Sequence, residues 1–142
     1  MAESIFNSLL EEHGLAAEFR GASAGTAAAP GSPAAQHAVE TMAADGLNLE
    51  DHQSTPVTEE IVAEAALILT MTQGHKSEMI RRFPEAAGRV YTLGEYAGEP
   101  FGADWEVADP IGGDRQVYEA CSRDLRSALV QVVDRLKKDG LN

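Results

Sequence analysis

Ala66-Leu67-Ile68-Leu69-Thr70-Met71 is the stretch on which the fold turns, a continuous apolar run that suits a strand buried on both faces. Immediately upstream, Thr58-Glu59-Glu60 opens a helix with acids in its first turn, favourable against the helix dipole. Downstream, residues 73–83 return to helical periodicity, residues 89–93 read as a second strand, and residues 94–113 read mostly as loop. Farther out, residues 115–138 form the longest helix, with Val117, Cys121, Leu125, Leu129, Val132, Val133 and Leu136 on its inner side. Toward the other end, Met1, Ile5, Phe6, Leu9 and Leu10 share one stripe of a first helix that His13-Gly14 stops. Residues 18–23 then suit a short strand, residues 27–33 a small-residue loop, and residues 34–44 a helix closed by Asp45-Gly46. Helices alternating with short apolar strands predict an α/β fold, a three-layer sandwich around a small parallel sheet. Ligands in such sheets bind at the carboxyl ends of the strands, which selects the loops 24–33, 70–75 and 93–113.

Composition narrows the function. At 142 residues the chain fits a single domain over 1–142. A formal net charge of -12 argues against nucleic acid, whose phosphates call for clustered Lys and Arg. The late basic residues Arg123, Arg126, Arg135, Lys137 and Lys138 are mixed with acids along one helix and read as a solvated face. No apolar run approaches the ~20 residues that span a bilayer, so no membrane partner is expected. The single cysteine excludes an internal disulfide framework and fits a reducing cytoplasm, the expected address.

Neither nucleotide-binding glycine fingerprint occurs, and Ser23 and Ser54 lack the G-x-S-x-G context of a hydrolase elbow. His13, His37, His52 and His75 show no metal-ligand spacing with one another or with Cys121, so no metal site is expected. Cys121 falls mid-helix on an apolar stripe, away from any helix N-terminus that would lower its pKa, and reads as a buried small hydrophobe. Asp109-Pro110 is by itself a turn signal. Its place, in the loop entering the long final helix and on the expected ligand side, makes Asp109 a candidate to donate a proton to a leaving group.

Taken in order, several stretches resemble the low-molecular-weight protein tyrosine phosphatase family. They are Met1-Ala2-Glu3-Ser4-Ile5-Phe6, Ser23-Ala24-Gly25-Thr26, Gly31-Ser32-Pro33-Ala34, Asp51-His52-Gln53-Ser54, Ala66 through Thr72, Tyr91-Thr92-Leu93-Gly94-Glu95-Tyr96, Asp109-Pro110 and Tyr118-Glu119-Ala120-Cys121. The start at Met1-Ala2-Glu3-Ser4, Met71-Thr72 followed by His75-Lys76, and Ile111-Gly112-Gly113 after Asp109-Pro110 lean toward the bacterial branch that includes protein-arginine phosphatases. The resemblance implies a phosphorylated protein substrate, no cofactor, and a phosphocysteine intermediate formed by a Cys-x5-Arg loop wrapped on the N-terminus of the first helix. It gives Asp109 the role of general acid and base. It has His52 and Ser54 buttress the phosphate loop from behind, and Ser23 do the same at the strand end. Tyrosine-directed relatives carry aromatic residues just after Asp-Pro; Ile111 at that substrate wall weakens the case for a flat phenol, and the resemblance leaves phosphoarginine or phosphotyrosine as the substrate.

In that family the nucleophile loop and a central strand precede the position matched by Met1. The resemblance therefore implies that this chain is N-terminally truncated, silent as a catalyst and poorly stable, with exposed strand edges open to self-association. The alternative is a non-catalytic remnant or partner-binding module of the same fold. Arsenate reduction on this fold needs further cysteines to resolve its intermediate, and a lone Cys121 speaks against it.

Overall fold

Ile68-Leu69-Thr70 forms strand β1 (Ile68–Thr70), and it pairs in parallel with β2 (Val90–Thr92). Ile68 lies opposite Val90, Leu69 opposite Tyr91 and Thr70 opposite Thr92. A parallel pair needs a crossover, supplied here by a helix (Gln73–Arg82) and a 3-10 turn (Pro84–Arg89). In this computed structural model residues 1–25 and 31–141 are described, so most of the small-residue loop expected over 27–33 lies outside them. In chain order the helices are α1 (Ala2–Glu12), α2 (Gln36–Ala44), α3 (Glu59–Glu64), α4 (Gln73–Arg82), α5 (Leu93–Ala97) and α6 (Arg115–Asp139). None of them is long and apolar enough to cross a membrane.

Strand alternation sorts the two faces of the sheet. Ile68 and Val90 point into a small cluster with Val62, Met79, Phe83 and Ala86, contributed by α3, α4 and the 3-10 turn. Leu69 and Tyr91 pack the other way, against a larger core built from α1, α2, α5 and α6. The result is the expected α/β arrangement with helices on both faces. Ile5, Met42, Leu93, Val132 and Val133 are fully buried in that larger core. Each such side chain contributes about 1.5–3 kcal/mol through removal from water.

Four details depart from the sequence expectations. β1 is not buried throughout: Thr70 is, whereas Ile68 and Leu69 are half-buried. Residues 18–23 form no strand: Glu18 and Phe19 bond back to the Leu15 carbonyl in a turn, and Gly21 and Ser23 bond side chains of α1 in place of a ladder. Asn7 Oδ1 accepts from the Gly21 N–H at 2.7 Å, Asn7 Nδ2 donates to the Gly21 carbonyl at 3.0 Å, and Glu3 takes the Ser23 N–H. Gly21 is needed there, since a Cβ would come within 2.5 Å of the Phe6 ring. The supposed loop after β2 begins with α5, fixed by a reciprocal capping box between Thr92 and Glu95. Finally, Val117 on the first turn of α6 is exposed, and Tyr118 takes the inward place.

Among the described residues the small parallel sheet consists of two strands, and a separate isolated parallel bridge joins Gly25 to Pro56.

Candidate active site

At the amino end of α1 two of the predicted residues, Ser23 and His52, are brought together. The helix's first intrahelical bond runs from the Ile5 N–H to the Met1 carbonyl, so the N–H groups of Ala2, Glu3 and Ser4 precede the helical ladder. No side chain caps this end. An 11-residue helix presents those donors together with the positive end of its dipole, an arrangement that favours an anion.

Glu3, in that first turn, gathers two of the sequence candidates. Its Oε1 accepts from the Ser23 N–H at 2.8 Å and from the Ser23 hydroxyl at 3.2 Å, while its Oε2 lies 3.8 Å from His52 Nδ1. Ser23 and His52 come from distant segments, and this carboxylate joins them. Ser54, the third candidate on that side, holds a neighbouring clamp. Its Oγ accepts from the Ser32 N–H at 3.1 Å, and its own N–H donates to the Ser32 carbonyl at 2.7 Å. It therefore binds two polar loops together rather than reaching Glu3.

Asp109 is carried on a loop that begins beside the carboxyl end of β1. Three anchors place it. The Val107 N–H donates to the Met71 carbonyl at 3.0 Å, which hangs the loop from the carboxyl end of β1. The Gln73 N–H donates to Glu106 Oε2 at 2.7 Å and Gln73 Nε2 to the Ala103 carbonyl at 3.1 Å, tying the loop to the start of α4. A tight turn then closes from the Gly113 N–H to the Pro110 carbonyl at 2.8 Å, and Asp114 caps α6 by accepting from Val117 N–H. Asp109 itself is exposed, and its Oδ1 accepts from the Ile111 N–H at 3.0 Å. Ile111 stands beside it with 75% of its surface in solvent, the most exposed large apolar side chain described.

Behind this turn lie Tyr118 and Cys121. Burial pushes the Cys121 thiol up; the α-amino group of Met1 pulls it down, and Asp124 and Asp109 add to the rise. The Cys121 Sγ rests 4.0 Å from the Ala108 carbonyl. The Tyr118 hydroxyl is likewise held above its ordinary range, first by burial and then by the Asp109 charge. The Asp109 loop thus meets α6 at Cys121, while Glu3, Ser23 and His52 meet at the start of α1.

A protein phosphatase family model, low molecular weight phosphotyrosine protein phosphatase, matches residues 1–142. The chain belongs to that family. A protein-arginine-phosphatase of Bacillus subtilis is 38% identical over 139 residues, covering 98% of this chain and 89% of the relative. A probable low molecular weight protein-tyrosine-phosphatase, EpsP, of Ralstonia nicotianae is 31% identical over 118 residues, covering 83% of this chain and 77% of the relative. Among solved structures, a YwlE arginine phosphatase mutant with a phosphorylated active-site serine superposes with a TM-score of 0.90 at 37% identity, covering 99% of this chain and 90% of that one.

Sequence reasoning singles out Asp109, Ile111, Ser23, His52 and Ser54 but gives Glu3 no role. The available signal is an acid in the first turn of a helix with no cap of its own. Such a carboxylate has spare acceptor capacity for whatever loops pack on that helix end.

Proposed function

We propose that the chain forms the body of a cysteine-dependent protein phosphatase of the cytoplasm that prefers phosphoarginine to phosphotyrosine. The observation that supports this most is the tie at the amino end of α1, where Glu3 joins Ser23 and His52 beside the first-turn N–H groups. A phosphoryl group seated on the free N–H groups of α1 would have a carboxyl at its rim and a polar brace behind it.

In the reaction a thiolate attacks phosphorus, the S–P bond forms and the P–N bond to the guanidine breaks. Asp109 delivers its proton to the departing nitrogen. The resulting carboxylate then takes a proton from the water that attacks the phosphocysteine, releasing inorganic phosphate and the thiolate. Ile111 supports the substrate preference: an exposed aliphatic wall beside Asp109 suits the methylene stem of arginine and offers no ring for a phenol to stack on.

Cys121 does not supply that thiolate. It is the one cysteine in the sequence, buried in the middle of α6, with its thiol raised rather than lowered. No Cys-x5-Arg occurs within these 142 residues. By themselves they are therefore expected to hydrolyse neither phosphoarginine nor an aryl phosphate.

Two measurements test the proposal. These 142 residues alone should release no phosphate from a phosphoarginine protein, and a variant given a Cys-x5-Arg segment ahead of α1 should release it faster than from an aryl phosphate. Turnover by the 142 residues alone, or none by the variant, removes the catalytic reading, and a preference for the aryl phosphate removes the substrate assignment.

A further inference from the structure

At the end of the sheet away from Asp109, a cavity of about 410 Å³ opens between the sheet and the last turn of α6. Ala66 and Leu67 lead into β1 there, and Gly88 and Arg89 lead into β2. Asp109 belongs to the loop hung from Met71, so the two places are separated by about 13 Å of strand. The cavity belongs to no part of the proposed phosphatase machinery.

Two arginines distinguish its lining, Arg89 half-buried and Arg135 exposed. Arg135 lays its guanidinium over the Tyr96 ring, 4.0 Å from the centroid, and Nη1 donates to the Tyr96 carbonyl at 3.0 Å. Arg89 uses Nη1 for the Val62 carbonyl, at 3.0 Å, and for the Ala65 carbonyl, which ties down the end of α3. Each guanidinium is thus held by main-chain oxygens through a single nitrogen, and its other donors have no partner among the described residues. Neither has a carboxylate within ion-pair distance among those residues, although acids outnumber bases 23 to 11 in the chain. Tyr91 adds a ring 5.4 Å from that of Tyr96. Asp139 also lines the space, so the charged side chains facing it are two cations and one anion.

We propose that this cavity is a binding site for a small oxyanion, phosphate or a phosphate monoester, gripped by Arg89 and Arg135. Arginine is suited to the task because its planar fork matches two oxygens at once. The volume suits a small ligand. Asp139 opposes the anion and keeps its affinity modest.

Inorganic phosphate is the probe, titrated into the 142-residue chain and followed by amide proton–nitrogen correlation spectra. Phosphate at the start of α1 would move amides near Ser4 and Ser23. Phosphate in the cavity moves those of Gly88, Arg89 and Gly140, so the sites are read separately. Arg135→Gln should weaken the second set of shifts about tenfold and leave the first unchanged. Asp139→Asn should strengthen the second set. The variants are compared at matched thermal midpoints, and Arg135→Lys, which keeps the charge and loses the fork, should fall between Arg135→Gln and the parent. Silence of the cavity amides while the α1 amides saturate would overturn the proposal. So would equal weakening by Arg135→Gln and Asp139→Asn, which would mark a general loosening of α6.

Discussion

Replacing Glu3 by alanine should loosen both polar loops that the site depends on. The carboxylate accepts the Ser23 N–H at 2.8 Å and the Ser23 hydroxyl at 3.2 Å, and it lies 3.8 Å from His52 Nδ1. A hydrogen bond to a charged acceptor contributes about 1.5–3 kcal/mol, and the lower end applies because Ser23 is exposed. The hydroxyl bond is longer and solvent-facing, worth about 0.5 kcal/mol. The His52 pair is 27% and 31% exposed and adds a few tenths at most. Loss of a first-turn acid forfeits about 0.3–1 kcal/mol of dipole interaction. Water recovers part of this, which leaves about 2 kcal/mol, or a fall of about 4–8 °C in the thermal midpoint for a chain of this length. Urea denaturation reads the free energy, and amide exchange at Ser23 locates it. Ser23 should lose at least about tenfold of its protection, while buried amides such as that of Leu129 fall only by the global change. Glu3→Gln, which keeps an acceptor and loses the charge, should cost about half as much. If Glu3→Ala stays within about 0.5 kcal/mol of the parent and Ser23 exchanges at its former rate, Glu3 is not the tie that the geometry makes it.

Other contacts give three further expected outcomes. In a protein carrying the Cys-x5-Arg loop, Asp109→Asn should lower kcat about 10²–10⁴-fold with a poor leaving group; an unchanged rate would remove Asp109 as general acid. Glu95 is held below its ordinary carboxylate range, first by the Thr92 N–H and then by Lys76, whose Nζ lies 2.9 Å away. The lowered pKa means that its contribution is complete above the unfolded value of 4.5 and fades as pH falls through the folded one. Glu95→Gln should therefore be less stable than the parent by about 0.5–1 kcal/mol at about pH 7, and the gap should close on acidification in paired urea titrations. Gly94→Ala would drive a Cβ against the Gly102 carbonyl oxygen and to 2.8 Å from that of Trp105, both backbone, so it should cost at least about 3 kcal/mol and release the loop that leads to Asp109, seen as a lower urea midpoint.

Local patterning is the part of this fold that the sequence makes legible. A strand around Leu69, a second one before residue 93, the helices between and beside them, and the stripe of α6 from Cys121 onward each appear where expected. The failures share a different cause, the dependence of a segment on partners far away in the chain. Residues 18–23 have strand-like composition, but a strand exists only if a ladder is available, and Asn7 and Glu3 occupy those backbone groups instead. Val117 fits the helical period, yet the core ends short of the helix's first turn on that side, and Tyr118 takes the inward place. α5 is legible in principle, since Thr92-x-x-Glu95 is a capping box, but a five-residue helix has too little periodicity to announce itself.

The site divides in the same way. Asp109 and Ile111 are readable because an Asp-Pro turn before a long helix is contiguous in sequence. Glu3 is not, because its meaning lies in Ser23 and His52, which are 20 and 49 positions away. Since one carboxylate orders both loops, their positions should be coupled: untying Ser23 should also loosen His52. Ser23→Ala removes only the hydroxyl bond and keeps the N–H, so it should disturb His52 far less than Glu3→Ala does. The His52 ring resonances in the two variants separate a shared hub from two independent contacts, and equal shifts in both would refute the hub.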